Sequence, residues 1–328
     1  MVTTKAKSTN VKLEDPTQIG DGFPLHSRTR TLVETYYDVQ KLRIALAGRV
    51  FQLETQGDVS LKEANEDSDG KITSPYVEQL QHIEESIKKD IKQDLKGKPI
   101  YDEFLSKVHG MGPVLSAGII AYIEDIGKFS TVSRLWAYAG LHVVPCLKCE
   151  NCEHDKLNNV VPNKYEDNMS TYYKLSTCTK RVMPKRRAGQ KANWNTKFGT
   201  HLWKCTDQFN FQKEEKSWYK KYVSDLKRSY GFTKNEDGWH LSDEKRDEWI
   251  SKGVGVTVTG KTVPMGHLNN RALRKTRKLF LSHVWAKWRE LEGLEISKPW
   301  IIEHGGHSDY ISPDEIIAWE AKQKEEKQ

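Results

Sequence analysis

Between Ser27 and Glu54 the apolar residues Leu32, Tyr36, Val39, Leu46, Val50 and Leu53 recur at three- and four-residue steps. That spacing makes one narrow stripe and predicts a helix. The polar stretch NEDSDGKITSP (65–75) interrupts it, and a second stripe follows at Tyr76, Leu80, Ile83, Ile87, Ile91 and Leu95. Two seams this narrow suit an antiparallel helical hairpin, or equally a coiled coil that joins two copies of the chain as a homodimer. Residues 1–25 hold Thr, Lys, Pro and Gly without periodicity, which reads as a flexible tail.

GKP (97–99) punctuates the pattern, and a short helix is expected from Ile100 to Lys107. A long helical region over about 195–230 carries Trp203, Phe209, Trp218, Tyr219 and Tyr222. Val254, Val256 and Val258 alternate with Gly and Thr, the period of a strand, and TGK offers a turn. A final long helix is expected from Leu268 to Glu292, followed by a tail, KPWIIEHGGHSDYISPDEI, that looks irregular but is too aromatic and apolar for disorder.

In HGMGPVLSAG, Gly110 and Gly112 join two expected helices. Both can adopt positive φ, so the chain can reverse tightly and bring its backbone close to another surface. Pro113 suits the first position of the following helix, whose outward N–H groups and dipole favour an anion. This is the logic of a helix-hairpin-helix element that grips phosphates; the bland alternative is a helix–turn–helix corner with no ligand. The small residues Ala117 and Gly118 would let a paired helix come close. The chain therefore divides into a flexible tail (1–25), a helical hairpin or coiled-coil arm (26–96) and a helix-hairpin-helix core (97–145). A Cys-rich basic insertion (146–190) and a helical basic C-terminal region (191–328) complete it. The expected fold class is mainly α, with a small metal-stapled loop and at most one small β-hairpin.

Gly110/Gly112/Pro113, then Asp125–Ile126 with Phe129, then Tyr138–Leu141 (Y-A-G-L) together resemble the C-terminal transposase domain of the insertion-sequence family called IS one-ten/one-sixteen. The similarity continues in NWNTKFGTHLW (193–203) and GHLNNRALRKTRKLFLSHVWAKWRELEGL (266–294). The resemblance implies DNA binding and DNA transposition. It also implies an RNase-H-like domain with four acidic metal ligands, and a nucleophilic serine between Y-A-G-L and the next basic stretch. Residues 1–100 read as helices with no strand bearing an Asp, so the acidic domain is not recognisable. Ser170 and Ser176 lie in the serine's interval, neither in a matching context. The leading expectation is a DNA-binding relative of these transposases that is not catalytic alone. The alternatives are an active recombinase, with a serine in the insertion or a separate acidic subunit, and a protein that binds a guide or other structured RNA or acts as a scaffold.

Charge sharpens the choice of partner. The 328 residues carry a formal charge of +7 and a pI near 8.9, which favours an acidic partner. Lys180, Arg181, Lys185, Arg186, Arg187 and Lys191 form a run with no acidic residue among them. Arg271, Arg274, Lys275 and Lys278 fall at i, i+3, i+4 and i+7, on one face of the last long helix, while Leu273, Phe280, Val284 and Trp288 face inward. Solvated helices usually mix both signs, and this stretch does not. The expected DNA contacts are Gly110, Gly112, Lys128, Arg186, Arg187, Arg271, Arg274, Lys275 and Lys278.

Three of the five cysteines sit in CLKCENCEH (146–154). With no secretory signal at the start and no apolar run long enough to span a bilayer, a cytoplasmic protein without membrane contact is expected, and clustered thiols there read as ligands. Cys146 and Cys149 have the C-x2-C spacing of a zinc knuckle; Cys152, His154 and Cys178 are available to close a tetrahedron. Cys146, Cys149, Cys152 and Cys178 also match an iron–sulfur arrangement, so zinc, a cluster and no metal all stay open, with zinc preferred. His201 and Cys205, on a helix with Leu202 and Trp203, read as packing residues. GVTVTGKT (255–262) fits the phosphate-loop spacing, but Pro264 forbids the helix that loop needs. His304 and His307 read as surface or capping residues.

Overall fold

The computed structural model describes residues 27–55, 74–145, 181–182, 192–255, 262–296 and 311–326. Within these residues the fold is mainly helical, with nine α-helices and two small antiparallel ladders. None of the described helices is long and apolar enough to cross a membrane.

Helices α1 (Arg28–Thr55) and α2 (Pro75–Leu95) pack as an antiparallel hairpin within the chain. Thr29 donates to Asp94 at 2.6 Å at one end, and Arg43 reaches the buried carboxylate of Glu84 farther out. Only the end nearest the body is fully covered: Val33, Ile91 and Leu95 enter the main core. Tyr76 and Ile83, two of the stripe residues, are exposed, as are Leu42, Ile44 and Phe51.

A π-helical turn, Tyr101–Leu105, occupies the place of the expected short helix and buries Phe104 and Leu105. Helix α3 (Pro113–Ile123) is apolar all round and buried along most of its length. It stops at Glu124, whose φ of 61° is held by a 3.1 Å bond from Arg30 of α1. A 3-10 turn, Ile126–Lys128, capped by the Asp125 carboxylate, leads to α4 (Val132–Tyr138).

The expected single helical region over 195–230 is two helices, α5 (Thr196–Phe211) and α6 (Trp218–Ser229). Each starts on a side chain that accepts an unpaired first-turn amide: Asn195 from Phe198 at 3.0 Å, Ser217 from Lys220 at 3.4 Å. Strands β1 (Val144–Pro145) and β2 (Arg181–Val182) pair across the insertion. The hairpin of β3 (Phe232–Asn235) and β4 (Gly238–Leu241) comes earlier in the chain than the valine alternation suggested. Val254 lies instead in a turn against a second small core, and residues 256–261 are outside the described residues. Helix α7 (Asp243–Ser251) follows, then the long α8 (Pro264–Leu291), in which Pro264, expected to bar a helix, instead opens one at its first position, where its missing N–H costs nothing. The end of the tail that looked irregular is helix α9 (Pro313–Glu325), opened by a capping box of Ser312 and Glu315.

The main core gathers α3, α5, α6 and α8 around Ile119, Phe198, Phe209, Tyr219, Phe280 and Trp285. Leu273, Phe280, Val284 and Trp288 of α8 all point inward, as the helical period required. Tyr230, Phe232, Leu268 and Ala272 form the second core, beneath Trp239 and Trp249.

Candidate nucleic-acid interface

The residues that carry the family resemblance come together physically. Gly140, at φ +71°, leaves room for the Trp194 ring, which a Cβ there would meet at 2.6 Å. Asn195 donates its amide N–H to the Tyr138 carbonyl at 2.8 Å and its side-chain Nδ2 to the Tyr138 hydroxyl at 2.7 Å. Y-A-G-L and N-W-N are thus locked to each other although the whole insertion lies between them. Gly118 is the seat of a second lock: a Cβ would fall 2.0 Å from Cε1 of His201. Nε2 of His201 donates to the Leu115 carbonyl at 2.8 Å, which leaves Nδ1 to accept from the Tyr37 hydroxyl at 3.3 Å. His201 and Cys205 are buried packing residues.

Of the two turn glycines only Gly110 has positive φ, at +94°. Gly112 is extended (φ −76°, ψ 168°) as the N-cap of α3, and a Cβ there would meet nothing within 4 Å. The first helical bond of α3 is Ser116 N–H to Gly112 O, so the amides of Val114 and Leu115 have no backbone acceptor. They border a cleft of ≈ 540 Å³ lined also by Tyr36 and Lys88 of the arm and Gln208 of α5. The turn is held from behind by a residue that sequence patterns did not single out. Glu320 of α9 accepts the His109 amide at 2.6 Å and the Trp218 amide at 2.9 Å.

On α8 the cations divide. Arg274 is half-buried and donates through Nη2 to the carbonyls of Leu141 (2.8 Å), the last residue of Y-A-G-L, and His142 (2.9 Å), the next one. Lys278 lies 4.5 Å above the Trp136 ring, and its carbonyl accepts the indole N–H at 3.1 Å. Arg271 and Lys275 are exposed and lean over Tyr230, at 5.7 and 5.5 Å from the ring centre. Arg277, off the expected face, joins them: its Nε donates to Thr206 of α5 at 3.2 Å. Its position three residues after Arg274 was the available signal.

None of these five side chains forms an ion pair with a described carboxylate. Elsewhere cations are matched: Lys245 and Lys252 both bind Glu248, and Arg30 and Lys197 both bind Glu34. Burial, then the Arg274 charge, pulls the Arg277 guanidinium down to about 10 and the Lys278 ammonium below its usual range. Burial followed by Arg274 and Lys278 also depresses His142, whose Nδ1 is buried without a hydrogen bond. Such crowding of one sign lowers the cost of bringing in a polyanion.

The turn and the α8 cations do not touch; α5 connects them, with Gln208 at the cleft and Thr206 on Arg277. Lys128 sits elsewhere, 3.7 Å from Glu124 near the arm. Arg186, Arg187, Cys146, Cys149, Cys152 and Cys178 lie outside the described residues, as do Ser170, Ser176, His304 and His307. No group of three or more His, Cys, Asp or Glu side chains among the described residues could hold a metal ion.

Residues 102–146 match the family model described as Transposase IS116/IS110/IS902 family. The match runs from the π-helical turn through α4 to the first cysteine and includes every motif from Gly110 to Leu141. Through this segment the chain is related to insertion-sequence transposases. None of the curated proteins matches the chain.

Proposed function

We propose that the protein binds duplex DNA along its phosphate backbone, as a relative of insertion-sequence transposases that does not catalyse transposition alone. The observation that carries this reading is the set of five α8 cations, Arg271 to Lys278, without an ion-paired carboxylate among the described residues. Lys and Arg side chains there and the free amides opening α3 contact phosphates, which position a protein on DNA without reading sequence. The relation through residues 102–146 supports DNA as the polyanion. Affinity for a duplex measured against salt concentration tests it, with exposed α8 cations replaced.

We infer further that Cys146, Cys149, Cys152 and Cys178 hold one zinc ion that staples the insertion. C-x2-C spacing favours it, and so does the β1–β2 ladder, which pairs Pro145 with Arg181 and so brings together the two ends of the segment 146–180 that carries all four cysteines. Zinc there would supply folding energy to a polar loop, not chemistry.

A further inference from the structure

The five unpaired cations of α8 all rest on uncharged partners. Arg274 and Arg277 are held by oxygens: the carbonyls of Leu141 and His142, and the hydroxyl of Thr206. Lys278 lies over the Trp136 ring. For Arg271 and Lys275, the two exposed members, the described side-chain partners are ring faces. Arg271 sits 5.7 Å from the centre of Tyr230 and 5.9 Å from that of Trp249, and Lys275 sits 5.5 Å from Tyr230.

The two rings come from different elements and are fixed to each other. Tyr230 ends α6 and is buried in the second small core. Trp249 of α7 donates its indole N–H to the Tyr230 carbonyl at 2.9 Å and meets the Tyr230 ring edge-on, with centroids 6.0 Å apart and planes at 85°. Glu248, next to Trp249, is already engaged by Lys245 and Lys252. A ring attracts a cation through its quadrupole and adds no net charge, whereas a carboxylate partner would have to be displaced by an incoming phosphate. A guanidinium whose face lies on a ring keeps its edge N–H groups for phosphate oxygens. Holding the long side chains in place beforehand also lowers the entropy lost on binding.

We propose that Tyr230 and Trp249 are positioning residues, an aromatic corner that holds Arg271 and Lys275 ready for backbone phosphates without neutralising them. The inference rests on the reading of α8 as the helix that meets DNA.

The test compares Trp249→Leu with Trp249→Phe in the full chain, binding a short duplex at fixed salt. Both variants lose the indole N–H bond to Tyr230, and only Phe keeps a ring face. Affinity should fall about two- to fivefold in Trp249→Leu and return most of the way in Trp249→Phe. The log–log salt slope should hold in both, because no charge is lost, whereas Arg271→Ala makes it shallower by about 0.9. In an Arg271→Ala background, Trp249→Leu should weaken binding no further; a merely structural role for Trp249 would persist there. Tyr230→Phe, which keeps the ring and removes a hydroxyl buried without a hydrogen bond, should bind as the wild type does. A readout without DNA or substitution is the Arg271 Nε–H signal in isotope-labelled wild type, which two ring faces should shift upfield of ordinary exposed arginines. Equal affinities in Trp249→Leu and Trp249→Phe, a loss that persists in Arg271→Ala, or an unshifted Arg271 signal would overturn the inference and leave the α8 reading standing. A wild type that leaves the duplex unbound would overturn the α8 reading, and this inference with it.

Discussion

Glu320 and His109 are 211 positions apart in the chain, yet the Glu320 carboxylate accepts the His109 amide at 2.6 Å. Its other oxygen takes the first amide of α6, Trp218, at 2.9 Å. One buried carboxylate in α9 thereby fixes the entry to the Gly110 turn against the start of α6. Glu320→Ala should leave both amides without acceptors and cost roughly 2–4 kcal/mol, read by urea denaturation. DNA affinity should fall with the turn's geometry while the slope of its salt dependence stays, because no cation is lost. A variant as stable as the wild type would show that the clasp is dispensable.

Gly118 and Gly112 make a matched pair of tests on one helix. Gly118→Ala drives a Cβ into the His201 ring, which is buried and bonded at both nitrogens, so a loss of roughly 2–3 kcal/mol is expected. Gly112→Ala meets nothing and needs no change of φ, and should cost less than about 1 kcal/mol at this N-cap. Denaturation midpoints that ranked the two the other way would contradict the packing of α5 on α3.

His201 and His283 give stability a pH dependence. Burial holds each near a pKa of about 4 in the folded chain, against 6.5 as the ordinary value. A depressed pKa means the unfolded chain binds more protons between about 4 and 6.5, so stability is full above that window and is lost as pH falls through it. Nε2 of His283 donates to Ile311 at 3.1 Å, which leaves Nδ1 to accept from Tyr219 at 2.8 Å, and protonation of Nδ1 breaks that bond. Glu320 works in the opposite sense: burial raises its pKa, so its contribution declines as pH rises above the ordinary carboxylate range. Urea midpoints should therefore drop between pH 6.5 and 4, with a gentler drop in His283→Gln. An equal drop in that variant would place the titration elsewhere.

The insertion is tested by its metal content. Freshly purified protein should carry about one zinc per chain, and Cys146→Ser or Cys149→Ser should release it. Elemental analysis without metal removes the proposal, and visible absorption with iron present replaces zinc by a cluster.

Much of the fold was legible where burial is periodic. The inward face of α8, the small-residue approach at Gly118 and the inner part of the α2 stripe, Ile91 and Leu95, follow from spacing, because a helix repeats its buried side every turn, whereas Tyr76 and Ile83 of the same stripe are exposed. What spacing does not encode is the partner across space. Arg274 and Lys275 are adjacent cations in the sequence, but one is bound to carbonyls next to Y-A-G-L and the other is exposed over Tyr230. Gly110 and Gly112 look interchangeable, yet only the first needs a left-handed backbone. Glu320 sits in an ordinary charged helix, and nothing local indicates that its carboxylate is buried against two amides. The α9 start is encoded locally, since S-P-D-E spells a capping box, although the aromatic segment before it carries no helical period.

The central claim is that α8 meets a phosphate backbone. Binding of a random-sequence duplex should weaken with salt along a log–log slope of about −3.6 or steeper, since four or five cations release counterions at about 0.9 each. Arg271→Ala with Lys275→Ala, the two exposed members, should make the slope shallower by up to about 1.8 without loss of stability. A wild-type chain that leaves duplex DNA unbound at low salt would contradict the account, as would a slope that does not change in the double variant.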